Sequence, residues 1–418
     1  MNIDPIILEK VQQLTKELYP NLQELRRKLH KHPELSGQES WTAAFLAENL
    51  QAIDLQVRTG FSGNGLIADL VTDPSKPTVA LRVDIDALPI HEINNVPYRS
   101  EVPGVMHACG HDVHSAIGVG VATALKHLEE MLPGNVRIIF QPEEEEVTGA
   151  LSMIHAGALE NPTPKAIFGC HIAPIPAGQI AWSEGLFLAG FDHYLGTVLP
   201  QEGVNLPLVH LDAIAEQCCQ AILSLNEWHL PNTWEEMETF WGKMREGPSH
   251  LQNFIIYDAS TDEEDPSSWY GEFGIGVKAA NQALRQSALE HITTKLNPLC
   301  QAARCDYQLT QWGSMPDMIN HPKLVRSSLP ALVEAVGVQN AIHLKAAFPF
   351  NCEDFAYYTE VIPGAMYWLG GADPTKGKYA MLHTPDFDVD EHCLITGTIA
   401  MTTLIMETLF IESAKPDR

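Results

Sequence analysis

The chain has 418 residues, of which 45% are hydrophobic and 19% are charged, a composition typical of soluble globular proteins. This length predicts two or three domains, each large enough to bury its own core. The formal net charge of −27 argues against nucleic acid and anionic membrane as partners, because both would repel the chain.

Cysteine usage and the first residues bear on the cellular compartment. The eight cysteines are irregularly spaced, which does not indicate a disulfide framework. Residues 1–5 lack a basic region followed by an apolar run, so no signal peptide is predicted. A cytoplasmic location is therefore expected.

The first predicted element is an amphipathic helical stretch. Apolar residues recur at helical spacing from Ile7 to Leu29, which predicts packing against a core. Pro20 lies inside this stripe and is predicted to divide it into two helices, because proline removes a hydrogen bond from a helix interior.

Residues 107–114 concentrate groups that bind transition metals. They contain three histidines, one cysteine and one aspartate within eight positions. Thiolate and imidazole ligands suit zinc, nickel, cobalt or manganese better than magnesium or calcium. The next residues are apolar at helical spacing, which predicts a ligand-bearing loop at the entrance of a helix. The alternative is a solvated, histidine-rich surface turn.

Further candidate ligands follow predicted strands. Residues 136–140 form an apolar strand that leads into Pro142 and four consecutive glutamates. Because Pro142 ends the strand, the carboxylates are predicted at its C-terminal end, where sites form in α/β sheets; a solvated acidic turn is the alternative. The apolar strand 166–172 carries His171, and residues 382–385 carry another histidine. A single histidine of this kind is ordinarily a core residue, but several together favour a shared site.

These motifs resemble peptidase family M20, in the branch that contains hippurate hydrolases, auxin-conjugate hydrolases and N-acetyl-diaminopimelate deacetylases. The segments that carry the resemblance are residues 29–35, 81–89, 106–114, 141–150, 168–171, 353–358 and 382–385. The resemblance implies an α/β, zinc-peptidase-like catalytic domain with a central sheet flanked by helices, formed by residues 1–185 and 309–418. It also implies an inserted α+β lid or dimerisation domain at residues 186–308, and hence a possible homodimer.

The same resemblance implies a site with two divalent metal ions, of Mn, Zn, Co or Ni. The implied metal ligands are Cys109, His111, Glu145, His171 and His383. Glu144 is the implied general base, which would take a proton from water and pass it to the leaving amine. The expected reaction is hydrolysis of the amide bond of N-acyl amino acids or short peptides to a carboxylic acid and a free amino acid. The alternatives are a dipeptidase or aminoacylase with a different acyl preference, and a non-catalytic metal- or ligand-binding relative.

Other polar residues near these motifs have two interpretations. Asp84 and Asp112 are either carboxylates that orient ligand imidazoles or ordinary turn and capping residues. Glu353 either supports the metal site or is a solvated or capping residue. His107 and His114 are interpreted as residues that line the pocket.

The chain departs from the family pattern around the glutamates. Glu143 and Glu146 stand where the family usually has small residues, and Val147 and Thr148 replace glycines. The glycine-rich turn is therefore expected to be stiffer and more charged.

The predicted lid domain departs further, because its usual Gly-Gly-His-Ala motif is absent. His193 is a candidate replacement for the lid histidine. Asn253 lies in a predicted strand, residues 252–257, that resembles the strand of the family's Asn-Val-Ile-Pro motif. Lys278 stands near a usual arginine, whose charge it supplies without the bidentate fork. These three residues are the candidates for substrate binding.

The last element, residues 393–411, is largely apolar. Gly397, Glu407 and five threonines favour a buried helix over a membrane span.

Overall fold

The computed structural model describes residues 3–261 and 271–415, which fold into two main sheets covered by helices. The helices are α1 (Pro5–Lys31), α2 (Ser40–Gln51), α3 (His111–His127), α4 (Gly149–His155), α5 (Leu208–Leu223), α6 (Trp234–Glu246), α7 (Gln282–Ala302), α8 (Pro322–Val336), α9 (Ala356–Val361) and α10 (Cys393–Ser413). The strands are β1 (Gln56–Phe61), β2 (Gly65–Leu70), β3 (Thr78–Asp84), β4 (Asn135–Gln141), β5 (Ala166–Pro176), β6 (Ile180–Trp182), β7 (Gly185–Leu188), β8 (Gly190–Pro200), β9 (Ile255–Ser260), β10 (Glu272–Ala279), β11 (Cys305–Met315), β12 (Met318–Asn320), β13 (Ala341–His343) and β14 (Gly364–Ala372).

The larger sheet has its described strands in the order β1-β2-β4-β3-β5-β14-β6-β13. β3 is parallel to both β4 and β5, and β14 is parallel to β5. Every residue of β3, β4 and β14 is buried, as expected for parallel strands that are covered on both faces. The carboxyl ends of these strands therefore meet at one edge, where α/β folds place their ligand sites.

Alternate residues of the central strands pack into two hydrophobic clusters, because successive side chains point to opposite faces of a sheet. Leu81 and Ile138 belong to the cluster that contains residues of α1, α3, α8 and α10. Ala80 and Ile139 belong to the cluster that contains residues of α4, α6 and α9. The predicted α/β fold, with a central sheet flanked by helices, is confirmed.

The smaller sheet is antiparallel, in the order β11-β8-β10-β9. Residues of α5 and α7 pack with one of its faces in a third hydrophobic cluster. Along the chain its elements follow in the order β8, α5, α6, β9, β10, α7 and β11, so it is an α+β unit inserted between the elements of the larger sheet. The limits of the domains at residues 186 and 308 stay predictions, and β11 runs past residue 308 to Met315.

The strand predicted at residues 252–257 begins later than expected. Residues 249–252 form a single 3₁₀ turn, and β9 starts at Ile255. The side-chain amide of Asn253 donates a hydrogen bond to the carbonyl oxygen of Ser249 at 2.9 Å. This local bond competes with strand pairing, as is common for asparagine.

Helix α10 is confirmed as a buried helix. It is long and apolar enough to cross a membrane by length and composition, but 78% of its apolar window is buried inside the protein. It packs against α1, α3 and α8. Its buried carboxylate, Glu407, accepts a hydrogen bond from the backbone N–H of Ile3 at 2.6 Å, which explains a charge in this position.

The predicted division at Pro20 is wrong, because α1 continues through this residue from Pro5 to Lys31. Pro20 and Lys16, whose carbonyl loses its helical donor, are both exposed. The missing hydrogen bond therefore lies on the solvent-facing side of the helix, where its loss costs less than in the interior. The buried residues on either side, among them Val11 and Leu22, hold both halves of the helix on the same core.

Replacing Pro20 by alanine should stabilise the protein, because alanine restores the N–H donor inside the helix. We expect the free energy of unfolding to rise by about 1–2 kcal/mol, measured by chemical denaturation. Pro5→Ala is the matched control, since a proline in the first turn of α1 leaves no helical bond unmade. An equal effect of both substitutions would contradict this explanation.

Candidate metal centre

The site lies where the parallel strands of the larger sheet end. β3 ends at Asp84, and β4 ends at Gln141, three residues before Glu144. In β5, Phe168 pairs with Leu81 of β3, so His171 lies level with Asp84. The acidic segment and the strand histidine therefore reach one location from neighbouring strands, as the sequence predicts.

The loop before α3 brings two more ligand-type side chains to this edge. Gly110 precedes the helix with φ of +81°, and a Cβ atom there would lie 2.6 Å from Cγ2 of Ile172. Glycine is therefore the residue that allows the loop to approach β5 so closely. Cys109 lies just before this turn, and His111 is the first residue of α3. The structure thus contains the predicted loop at a helix entrance, with the candidate ligands Cys109 and His111 on it.

One group of donor atoms surrounds the thiol of Cys109. Its Sγ lies 3.4 Å from Nε2 of His171 and 3.2 Å from Nε2 of His383. The same nitrogen of His383 lies 3.4 Å from Oε2 of Glu145. The backbone N–H of His383 donates to the carbonyl of Ala108 at 2.9 Å, which places this distant segment beside the thiol.

A second group of donor atoms lies deeper. Nε2 of His111 is 3.7 Å from Oε1 of Glu145 and 3.9 Å from Oε2 of Glu144. Both Nε2 of His111 and Oε1 of Glu145 are buried and have no hydrogen-bond partner among the described residues. Leaving such atoms unpaired costs about 1–3 kcal/mol each, so their arrangement fits an additional ligand. Glu145 belongs to both groups of donors.

The pKa values of the acidic groups point to a missing positive charge. Burial raises the pKa of the Cys109 thiol well above its usual range, and Glu145 and Glu144 raise it further. Burial also raises the pKa of Glu145 to about 7 and the pKa of Glu144 well above the ordinary carboxyl value. A divalent cation among these groups would favour their ionised forms. The mixture of thiolate, imidazole and carboxylate donors fits an ion of the zinc type.

The carboxylates at the end of β3 hold two histidine rings. Nδ1 of His111 lies 3.0 Å from Oδ1 of Asp86, and Nδ1 of His114 lies 2.6 Å from Oδ1 of Asp84. Burial alone would lower the pKa of His111, but Asp84 and Asp86 outweigh it and raise that pKa to about 10. Carboxylates in this position fix the ring orientation of metal-ligating histidines. Sequence reasoning missed Asp86, although this aspartate lies only two residues after Asp84 at the same strand end.

Three further polar residues, His107, His114 and Asp112, lie outside the cavity lining of the described structure. Nε2 of His114 accepts a hydrogen bond from the N–H of Ile172 at 2.9 Å, so both of its nitrogens are used and it is buried away from the cavity. His107 is also buried, and neither of its nitrogens has a partner in the described structure. Asp112 contacts Arg26 and His30, each at 2.7 Å.

The buried guanidinium of Arg82 supports the segment that carries Glu144 and Glu145. Arg82 lies 2.7 Å from Asp84, 3.2 Å from Glu353 and 2.8 Å from Asp354. Asp354 in turn accepts hydrogen bonds from the side chain of Gln141 and from the N–H of Ala150. These two residues flank the segment that carries Glu144 and Glu145, so the network fixes both ends of that segment. Sequence reasoning gave Arg82 and Asp354 no role.

A cavity of about 280 Å³ opens onto the donor atoms. Its lining combines the reactive side chains with apolar groups and one lysine: Cys109, Glu144, Glu145, Val147, His171, Leu230, Lys278, Phe350, Asn351, Cys352, Met381, Leu382 and His383. His111 lies beneath this surface and is fully buried.

The three candidates for substrate binding are placed differently. Lys278 lines the cavity and donates from Nζ to the carbonyl oxygen of Phe350 at 2.9 Å. His193 packs between the rings of Phe191 and Trp312, outside the cavity lining. Asn253 is exposed and closes the turn described above. Of these three described residues, only Lys278 reaches the cavity.

Several known proteins resemble this chain in sequence and in architecture. A sequence profile of peptidase family M20/M25/M40 matches residues 80–407. An N-acetylcysteine deacetylase of Bacillus subtilis is 31% identical over 94% of this chain and 99% of its own. An IAA-amino acid hydrolase of Arabidopsis thaliana is 30% identical over 94% of this chain and 88% of its own.

A solved structure agrees with these sequence relatives. A dinuclear metal binding peptidase of the M20 family from Bacillus subtilis superposes with a TM-score of 0.72. It is 27% identical, and the match covers 94% of this chain and 99% of that one. Since the profile spans most of the sequence and the relatives match along most of their length, the chain is a hydrolase that belongs to peptidase family M20/M25/M40.

Proposed function

We propose that this hydrolase cleaves the amide bond of N-acyl amino acids or short peptides with two divalent metal ions. The observation that carries the proposal is the pair of donor groups joined by Glu145, with Glu144 beside them at the cavity. The relatives named for deacetylation and for amino-acid conjugate hydrolysis support the same substrate class. The solved relative described as dinuclear supports the metal count.

Five side chains are proposed as the metal ligands, namely Cys109, His111, Glu145, His171 and His383. Their nitrogen, sulfur and carboxylate donors suit Zn, Mn, Co or Ni. When bound, such ions polarise the scissile carbonyl and lower the pKa of water at the site. The buried ligands and the network on Arg82 hold the chain in position for that chemistry.

Glu144 is proposed as the general base. It lines the cavity, and no hydrogen bond to the described residues occupies its carboxylate in the manner of Asp84 or Asp86. Burial and the neighbouring Glu353 raise its pKa, which makes it a stronger base than an ordinary carboxylate. It would accept a proton from water and transfer it to the nitrogen of the leaving amino acid.

Lys278 is proposed to bind the carboxylate of the substrate. Its ammonium group provides a positive charge in a cavity whose other charged side chains are acidic. The bond to the carbonyl of Phe350 uses one of its three donors and leaves the others for a ligand.

We also propose that residues 186–308 act as a lid and form a homodimer. In the described structure, β11 pairs only with β8, so its other edge has free backbone donors and acceptors. A second copy could pair with such an edge. The cytoplasmic location expected from the sequence stays a prediction.

Glu144→Gln should abolish amide hydrolysis while metal binding persists. We expect a loss of about 10²–10⁴-fold in kcat, because glutamine keeps the shape but cannot accept a proton. The measurement is amino-acid release from a panel of N-acyl amino acids, by protein stripped of metal and reloaded with Mn, Zn, Co or Ni. Glu146→Gln is the control, since Glu146 is the exposed neighbour in the same acidic run. Retention of the rate in Glu144→Gln would remove this residue from the mechanism.

Lys278→Met should raise KM for N-acyl amino acids by about tenfold, because the substrate carboxylate loses a charged partner. The corresponding amino-acid amides, which carry no carboxylate, should show little change. Lys278→Arg keeps the charge and should lie nearer to the unmodified protein. If acids and amides respond equally, Lys278 does not bind the carboxylate.

Metal uptake should release protons and should strengthen as the pH rises. The pKa of Glu145 is about 7 and that of Cys109 is raised, so both bind protons in the metal-free protein at pH 7 or below. Calorimetric titration with Zn²⁺ in buffers of different ionisation enthalpy measures the number released. Cys109→Ser should release fewer protons. Heats that do not depend on the buffer would contradict this ligand assignment.

A further inference from the structure

Val147 has an unusual backbone conformation at the edge of the cavity. Its φ is +58°, a left-handed value that is a genuine outlier for a β-branched residue. Its N–H donates to the carbonyl of Glu144 at 2.8 Å, which closes a tight turn directly after the proposed base. Strained residues of this kind persist where the surrounding structure imposes them, often at ligand sites. Glycine would adopt this φ without strain, so the backbone conformation does not explain why a valine stands at this position.

Leu230 forms part of the same cavity from a different segment. It lies between α5 and α6 and lines the cavity although 39% of its side chain is exposed. Pro231 follows it and restricts its backbone to extended conformations. Just beyond, α6 buries Trp241 against the catalytic core, with its ring stacked on Phe348 at 5.5 Å. The segment with Leu230 therefore leads into a helix that is packed against the larger sheet.

These two side chains form part of the wall of a small cavity. Its volume of about 280 Å³ lies at the lower end of the range of about 300–1,000 Å³ for small-molecule sites. Phe350, Met381 and Leu382 add further apolar surface around it. An amide group and a carboxylate would occupy part of this volume, which limits the space for the acyl group.

We propose that Val147 and Leu230 determine specificity by narrowing the cavity around the acyl group of the substrate, so that a short aliphatic acyl chain is preferred over an aromatic one. This inference rests on the proposed amidohydrolase function. Val147 follows Glu144 in one tight turn and lines the same cavity, so its side chain stands close to the proposed base. The carbonyl that this base serves carries the acyl chain, and a bulky acyl group would have to enter against Val147 and Leu230.

The test compares N-acetyl and N-benzoyl derivatives of one amino acid with metal-loaded protein. Val147→Gly and Leu230→Ala should each raise the ratio of kcat/KM for the benzoyl to the acetyl substrate by about tenfold or more, since each removes several carbon atoms from the wall. Val147→Ala is the matched control for strain, because it keeps a side chain at positive φ while removing two methyl groups. Its ratio should lie between those of the unmodified protein and Val147→Gly. Glycine tolerates this φ, so Val147→Gly should fold at least as stably.

Binding of the same two ligands to metal-loaded Glu144→Gln protein gives an independent measurement. The affinity ratio should shift in the same direction when Val147→Gly or Leu230→Ala is added. If binding shifts but no variant releases amino acid, the hydrolase proposal fails while the two residues still limit the cavity. If hydrolysis proceeds and neither ratio moves, or if only the preference for the amino acid changes, the assignment of Val147 and Leu230 is overturned and the hydrolase proposal stands.

Discussion

The concentration of negative charge at one edge of a buried sheet is the constraint on which the rest of this structure depends. Carboxylates repel one another in a medium of low polarity unless a cation compensates them. Arg82 supplies part of this compensation from within β3, where it contacts Asp84, Glu353 and Asp354. Burial and the neighbouring carboxylates nevertheless raise the pKa values of Glu144 and Glu145, although Arg82 lowers the first and His111 lowers the second. The fold therefore brings together several acidic donors, and divalent cations would compensate their negative charge.

The parts of this site that are local in sequence could be predicted from the sequence. The loop with Cys109 and His111, the proline that ends β4 and the strand with His171 each carry their own signal. His383 contacts Cys109, which lies 274 positions away in the sequence, and no periodic pattern predicts this contact. The sequence favoured a shared site that includes His383, and the resemblance to a family then implied its role as a ligand.

The wrong prediction at Pro20 and the features that were not predicted have equally physical causes. The prediction for Pro20 considered only the hydrogen bond that proline removes from a helix. In the structure, buried residues on both sides of this proline also hold the helix on the core. In α6, the apolar residues indicate a buried face but do not say which surface receives it. The structure packs Trp241 onto the catalytic core, although α6 lies between elements of the smaller sheet. Positive φ at Val147 depends on the turn as a whole and has no signal in the residue itself.

The position of Glu145 in both donor groups has a consequence for how the protein acquires its metals. One carboxylate that reaches towards His383 through one oxygen and towards His111 through the other makes the two positions energetically dependent. In the proposed site, a first ion would ionise and orient this side chain and would thereby prepare a ligand for the second. It would also add positive charge nearby, which would oppose the second ion. The balance of these effects would set the proportion of half-loaded protein at a given metal concentration, so catalytic competence would depend cooperatively on metal supply.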